Sequence, residues 1–174
     1  MFKPMYDSIE RSIQAADELY YRLVLLVGQA GSGKTGALRE IAASYGVPVV
    51  NVNLELSGAL LELTPKQRIL RLPGLLADIA DQASSPLLLD NLEMLFDPVL
   101  QQDPLRLLQA ISRNRIVLAA WNGEMNAGRL VYAEPGHPEY RCYDAPDALI
   151  VNMICESAID SPKCPEEWQQ GEQA

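Results

Sequence analysis

The sequence predicts an α/β fold built on one parallel sheet with helices on both faces. Three observations carry that prediction. Strand-like apolar runs alternate with helical patterns along the 174 residues. The run Arg22 to Val27 (RLVLLV) is apolar without alternation, the pattern of a strand buried on both faces. A glycine-rich loop, Gly28 to Gly33, then joins that run to a helical segment, which is the junction expected of a phosphate-binding unit.

The elements follow in order. Ile9, Ile13, Ala16 and Leu19 recur at helical spacing and predict an opening amphipathic helix packed on the domain. After the first strand and the loop, Lys34 to Tyr45 is helical, with Ala37, Leu38, Ile41 and Ala42 inward and Gly46 as its stop. Val47 to Asn53 is a second strand, and Pro48 marks it as an edge or a strand start. Leu54 to Ser84 predicts two or three short helices, broken at Thr64-Pro65 and Pro73-Gly74. Thr64 is a natural N-cap there, with Gln67 completing a capping box. Pro86 to Asp90 is a third strand, Asp103 to Asn114 a helix with Leu105, Leu108 and Ile111 inward, and Ile116 to Trp121 a fourth strand ending at Asn122-Gly123. Leu130 to Ala133, the turn-rich EPGHPE, a short strand Tyr140 to Tyr143 and a last helix Pro146 to Ile159 follow. The expected division is one domain over 1–159, including the opening helix, and a flexible polar tail over 160–174.

Composition narrows the function classes. Fourteen Lys plus Arg against 23 Asp plus Glu leave a formal charge of −9, which discourages non-specific nucleic-acid binding by the chain alone. The longest apolar runs fall far short of the roughly 18 to 20 residues a membrane span needs. The first residues, MFKPMYDSIERS, carry charges where a signal peptide needs an apolar stretch. Three cysteines (Cys142, Cys155, Cys164), odd in number and without C-x-x-C spacing, read as reduced thiols of a cytoplasmic protein and exclude a disulfide framework.

The chemistry concentrates in Gly28-Gln29-Ala30-Gly31-Ser32-Gly33-Lys34-Thr35, a complete G-x-x-x-x-G-K-[ST] motif. A loop that wraps a polyphosphate must turn successive backbone N–H groups inward, and glycine supplies the φ angles this needs. The helix that follows adds its first amides and its dipole. Lys34 can reach the β- and γ-phosphates, and Thr35 can place its hydroxyl on Mg²⁺. A lysine at a helix start is disfavoured by the dipole, so a glycine-loving corner with no ligand leaves Lys34 unexplained.

Leu87-Leu88-Leu89-Asp90 looks like a Walker B segment, with Asp90 opposite Thr35 as a second Mg²⁺ ligand. Many P-loop ATPases follow that aspartate with a glutamate; here the position is Asn91, which cannot act as a base. Glu93, three residues after Asp90, is the nearest acid able to orient the attacking water, with Glu124 as a second candidate. Asn122 sits at the strand edge where ligands bind in open α/β sheets, either touching the γ-phosphate or serving as an ordinary Asn-Gly turn residue. Arg113 and Arg115 flank the start of the fourth strand, where an arginine could reach the γ-phosphate of a neighbouring subunit or form a plain surface ion pair. His137, alone between turn formers, offers no metal site.

The segments YYRLVLLVGQAGSGKT (20–35), NVNLELSGALLELTPKQR (51–68), LLLDNLEMLF (87–96) and VYAEPGHPEYRCY (131–143) together resemble the BrxF family. These are the small P-loop proteins of type 3 BREX bacteriophage-exclusion systems. The LELS–LLELTPKQR and YAEPGHPEY segments make the resemblance specific, since the phosphate loop is generic. The resemblance implies an AAA/RecA-like five-stranded parallel sheet of order 5-1-4-3-2. It also implies a cytoplasmic bacterial protein acting with a large ATPase, a DNA methyltransferase, a phosphatase-like protein and a helicase. Only one helix and a tail remain after Tyr143, so no separate lid domain is expected.

The expected function is a Mg²⁺–ATP-binding switch or weak, partner-stimulated ATPase that forms a homo-oligomer, with no membrane contact. Lys34 and Thr35 hold phosphate and metal, Asp90 the metal, Glu93 the water and Asn122 the γ-phosphate. The alternative is a non-hydrolysing structural or DNA-associated adaptor whose assembly is set by nucleotide, which Asn91 favours. A small-molecule kinase shares the loop but lacks an Arg/Lys-rich lid segment.

Overall fold

A computed structural model describes residues 3–153. Five α-helices and seven strands alternate in the order α1 (Lys3–Ala16), β1 (Leu23–Gly28), α2 (Lys34–Tyr45), β2 (Val49–Asn51), α3 (Val52–Leu60), α4 (Pro65–Gln82), β3 (Leu87–Asp90), α5 (Pro104–Ile111), β4 (Val117–Asn126), β5 (Arg129–Tyr132), β6 (Arg141–Asp144) and β7 (Leu149–Asn152). Two short 3₁₀ turns, Glu93–Phe96 and Pro98–Leu100, lie between β3 and α5.

The main sheet runs β2-β3-β4-β1-β7, and every neighbouring pair in it is parallel. β2 is an edge strand, as Pro48 suggests. The sheet separates two cores. Leu23, Leu25, Val27, Leu87, Leu89, Val117, Ala119 and Trp121 face α3, α4 and α5. Val24, Leu26, Leu88, Leu118 and Ala120 face α1 and α2 through Ile9, Ile13, Ala37, Leu38 and Ile41. The strands read as unbroken apolar runs because both of their faces are covered. Each such leucine contributes about 1.5–3 kcal/mol of burial.

The structure corrects the sequence reading in several places. The segment 146–159 was expected to be helical, but Leu149–Asn152 is strand β7, paired parallel to β1 from Val24↔Leu149 to Val27↔Asn152. Its β-branched Ile150 and Val151 fill the edge beside β1, and tertiary pairing overrides the weak helical spacing. Residues 154–159 and the tail 160–174, with Cys155 and Cys164, lie outside the described residues. α4 continues through Pro73-Gly74 as one 18-residue helix, anchored by buried Leu72, Leu76 and Ala80 on the core side. Its start is as expected, with the Thr64–Gln67 capping box formed in both directions. Leu19 falls beyond the end of α1 and is exposed.

The largest correction concerns β4. Asn122-Gly123 is not a turn: the strand runs ten residues, to Asn126, and reverses at Ala127-Gly128. Both turn residues have positive φ, 48° and 78°, where glycine is at ease. β4, β5 and β6 thereby form an antiparallel extension to the parallel sheet, so the sheet has seven strands where five were expected. Gly123 is the pivot, because a Cβ there would sit 1.8 Å from the Val131 carbonyl oxygen. The same oxygen accepts a hydrogen bond from Trp121 Nε1 at 3.1 Å. Under the extension, Tyr132 stacks on Phe96 with ring centroids 3.5 Å apart, and Trp121 meets Phe96 edge-on at 5.0 Å. Trp121 is a core residue, 1% exposed.

Candidate functional site

The C-terminal ends of β1, β3 and β4 converge on the glycine-rich loop. β1 ends at Gly28, which is in register with Asn122 of β4. Gly31 and Gly33 take φ of 80° and 91°, so the chain can fold tightly into α2. The first helical bond of α2 runs from the Ala37 amide to the Gly33 carbonyl. The amides of Lys34, Thr35 and Gly36 therefore sit at the helix mouth, without partners in the helical ladder.

Lys34 is only 6% exposed. Its Nζ donates to the carbonyls of Gly28 and Gln29, each at 2.7 Å, and to Ser32 Oγ at 3.1 Å. Three donors meet three acceptors, so the ammonium staples the loop around itself. Burial lowers its pKa from the usual lysine value, and the charges of Asp90 and then Glu93 oppose that shift.

Thr35 Oγ1 donates to Asp90 Oδ2 at 2.7 Å, across 55 residues of sequence. A hydroxyl and a carboxylate in contact are the hard oxygen donors that Mg²⁺ takes from a protein when phosphates and water complete its shell. Among the described residues no group of three or more His, Cys, Asp or Glu could hold a metal alone.

Asn91 has φ 55° and donates its amide to Asp90 Oδ1 at 2.9 Å. Asparagine tolerates that left-handed conformation, where a glutamate would be strained. The acid of the site is displaced two residues on. Glu93 Oε1 accepts from Asn122 Nδ2 at 2.7 Å, and Oε2 accepts from Asn53 Nδ2 at 2.9 Å. Asn53 also accepts from the Met94 amide at 2.8 Å and donates its own amide to the Asn91 carbonyl at 3.0 Å. The carboxylate is thus held on both oxygens by two amides, one following β2 and one within β4.

Sequence reasoning missed Asn53. The available signal was a polar residue just beyond a strand's C-terminal end, where the ligand edge of a parallel sheet lies. It is obscured because the sequence pattern carries the strand through Asn53, whereas Asn51 caps α3 and Asn53 lies in its first turn.

The remaining candidates lie elsewhere. Arg115 is not free to reach outward: it pairs with Asp81 at 2.7 Å and donates to the carbonyls of Ala80 and Ala83. It sits at the carbonyl end of α4 in an ion pair, the alternative to a finger that the sequence offers. Arg113 is exposed and rests over the Tyr20 ring at 5.0 Å, at the opposite end of β4 from the loop. Glu124 is exposed on β4 and has no contact with Glu93. His137 Nδ1 accepts from the Glu139 amide, an ordinary loop closure.

Gln29 and Ala30 form one wall of a cleft of about 750 Å³, which opens beside the loop and under residues 133–140. Comparison with family models, with curated proteins and with solved structures gives no match. What defines the class is therefore the geometry: a mostly parallel α/β sheet flanked by helices, with a glycine-rich loop at its C-terminal edge. No helix among the described residues is long and apolar enough to cross a membrane.

Proposed function

We propose that this chain is a P-loop protein that binds Mg²⁺–ATP and turns it over slowly, or only when a partner rearranges the site. The observation that carries the reading is the Thr35–Asp90 contact, which lies beside a loop already curled around Lys34. The β2-β3-β4-β1-β7 path supports it, because the loop-bearing strand lies next to β4 and Asp90 one strand further on. In this reading Lys34 and the loop amides from Gly28 to Thr35 hold the phosphates. Thr35 and Asp90 would hold the metal, which when bound neutralises charge on the β- and γ-phosphates. Asn122 lies where it can orient a terminal phosphate, and Glu93 where it can orient water.

Slow turnover follows from Glu93. Both of its oxygens accept amide hydrogens, which hold the carboxylate on Asn53 and Asn122 until one amide lets go. Asn91 in place of an acid supports the second reading, an adaptor in which nucleotide sets assembly without being consumed. We place the protein, on its sequence resemblance, in bacterial phage defence of the BREX type, as a cytoplasmic homo-oligomer working with other defence proteins. Arg113 remains the residue available to act across a subunit boundary.

Calorimetry with Mg²⁺–ATP tests binding. Phosphate release by wild type and Glu93→Gln, together with size-exclusion and light scattering with and without nucleotide, separates switch from adaptor. Turnover that Glu93→Gln abolishes supports the ATPase. Nucleotide-driven assembly with no turnover in either protein supports the adaptor.

A further inference from the structure

The antiparallel extension has an outer face that the core does not use. Registers Glu124↔Val131↔Cys142 and Asn126↔Arg129↔Asp144 place alternate residues of β4, β5 and β6 on one side. Leu130 and Tyr132 point to the other side and are buried. The outer face is the floor of the cleft beside the phosphate loop, Gln29 and Ala30 form one wall, and the loop 133–140 forms another.

The charge of this cleft is one-sided. Glu124, Glu134 and Glu139 all line it. Their carboxylates make no hydrogen bond or ion pair among the described residues. Glu139 is half-buried, and its charge helps to raise the pKa of Tyr132. The cation in the lining is Arg129, which is spent on Asp144 at 2.8 Å. An acidic peptide would be repelled here. A volume of about 750 Å³ also exceeds what one bound cation or one side chain requires, and falls in the range that accommodates several residues of peptide.

We propose that this cleft docks a basic segment of a partner polypeptide, with Arg or Lys side chains directed onto Glu124, Glu134 and Glu139. The chain's own formal charge of −9 argues for a different, basic protein over a second copy. Docking there sets a cationic side chain beside Gln29, Ala30 and Asn122, so the partner reports directly to the phosphate loop and to the amide that holds Glu93. The docking itself does not require nucleotide.

The test is fluorescence polarisation of the full chain with a labelled arginine–glycine–serine peptide and its glutamate-for-arginine counterpart, at low and high salt. Saturable binding of the basic peptide is expected. Glu134→Gln with Glu139→Gln should weaken it about tenfold, while the acidic peptide stays unbound. The control pair Glu62→Gln with Asp78→Asn, on α4 and the turn before it, should leave affinity unchanged. Equal weakening by both pairs would overturn the proposal in favour of general acidity, and dimerisation of the free chain through the cleft would overturn it in favour of a second copy. Thermal melts confirm that each variant is folded. Heat from Mg²⁺–ATP without peptide binding defeats only the cleft proposal; peptide binding without nucleotide heat defeats only the nucleotide reading.

Discussion

Thr35 and Asp90, 55 residues apart, meet through a 2.7 Å hydrogen bond between a helix start and a strand end. The contact joins the loop after β1 to β3, two strands away across the sheet, with β4 between them. In the proposed reading these two oxygens would be assembled before any cation arrives, which would leave little reorganisation for the binding step. Asp90→Asn keeps a hydrogen-bond acceptor but removes the charge. It should weaken Mg²⁺–ATP binding about 10- to 100-fold and change binding of metal-free ATP little. Parallel calorimetric titrations with magnesium and with EDTA check this. Equal losses in both would assign Asp90 a purely structural role.

Glu93 is held by Asn122 on one oxygen and Asn53 on the other. Asn53→Ala frees one carboxylate oxygen and also deprives the Met94 amide of its acceptor. Turnover per site should rise severalfold, while stability falls by about 1 kcal/mol for the lost bonds. Steady-state phosphate release and urea melts measure the two effects separately. A lower rate with the same loss of stability would mean that Asn53 positions Glu93 productively.

Gly123 decides whether the antiparallel extension can exist. Gly123→Ala forces its new Cβ onto the Val131 carbonyl, which also serves Trp121. The variant should lose about 2–4 kcal/mol, as overpacking against backbone does when nothing flexible can yield. Trp121 fluorescence during urea unfolding follows the change. An unaltered midpoint would show that the hairpin does not pack as described.

Alkaline stability depends in part on Tyr132. Burial, then the charges of Glu139 and Glu93, push its phenol up to about 12 from 10.0. Below pH 10 the folded and unfolded chains both keep the proton, so this stabilisation is fully present. Above it the unfolded chain releases the proton first, and stability is lost progressively as pH climbs through about 12. The loss attributable to Tyr132 is about 2–3 kcal/mol. Tyr132→Phe keeps the stack on Phe96 and should flatten the fall in urea midpoint over that window. An identical slope in both proteins would assign it to other groups.

Much of the fold was legible because its signals are local. Leu23 to Val27 could be read as a doubly buried strand from apolar continuity, and Thr64 and Gln67 as a cap from two side chains three residues apart. The segment 149–152 could not, because its four residues become a strand only by pairing with β1. Asn122-Gly123 misled for a related reason. A dipeptide that favours turns continues as strand here because β1 on one side and β5 on the other hold it. At the site, the motif named Lys34, Thr35 and Asp90, and spacing named Glu93. Asn53 acts through a contact 40 residues away that no local pattern encodes. Arg115 looked available in sequence because the carbonyls it serves, at Ala80 and Ala83, belong to another element.

In the proposed function the pocket curled around Lys34 receives a triphosphate. Isothermal titration of the full chain with ATP and millimolar magnesium addresses it most directly. Saturable heat at one nucleotide per chain is expected, reduced about 10- to 100-fold in affinity by Lys34→Ala in a protein that still melts cooperatively. No heat from the folded wild type, or the same isotherm from Lys34→Ala, would contradict it.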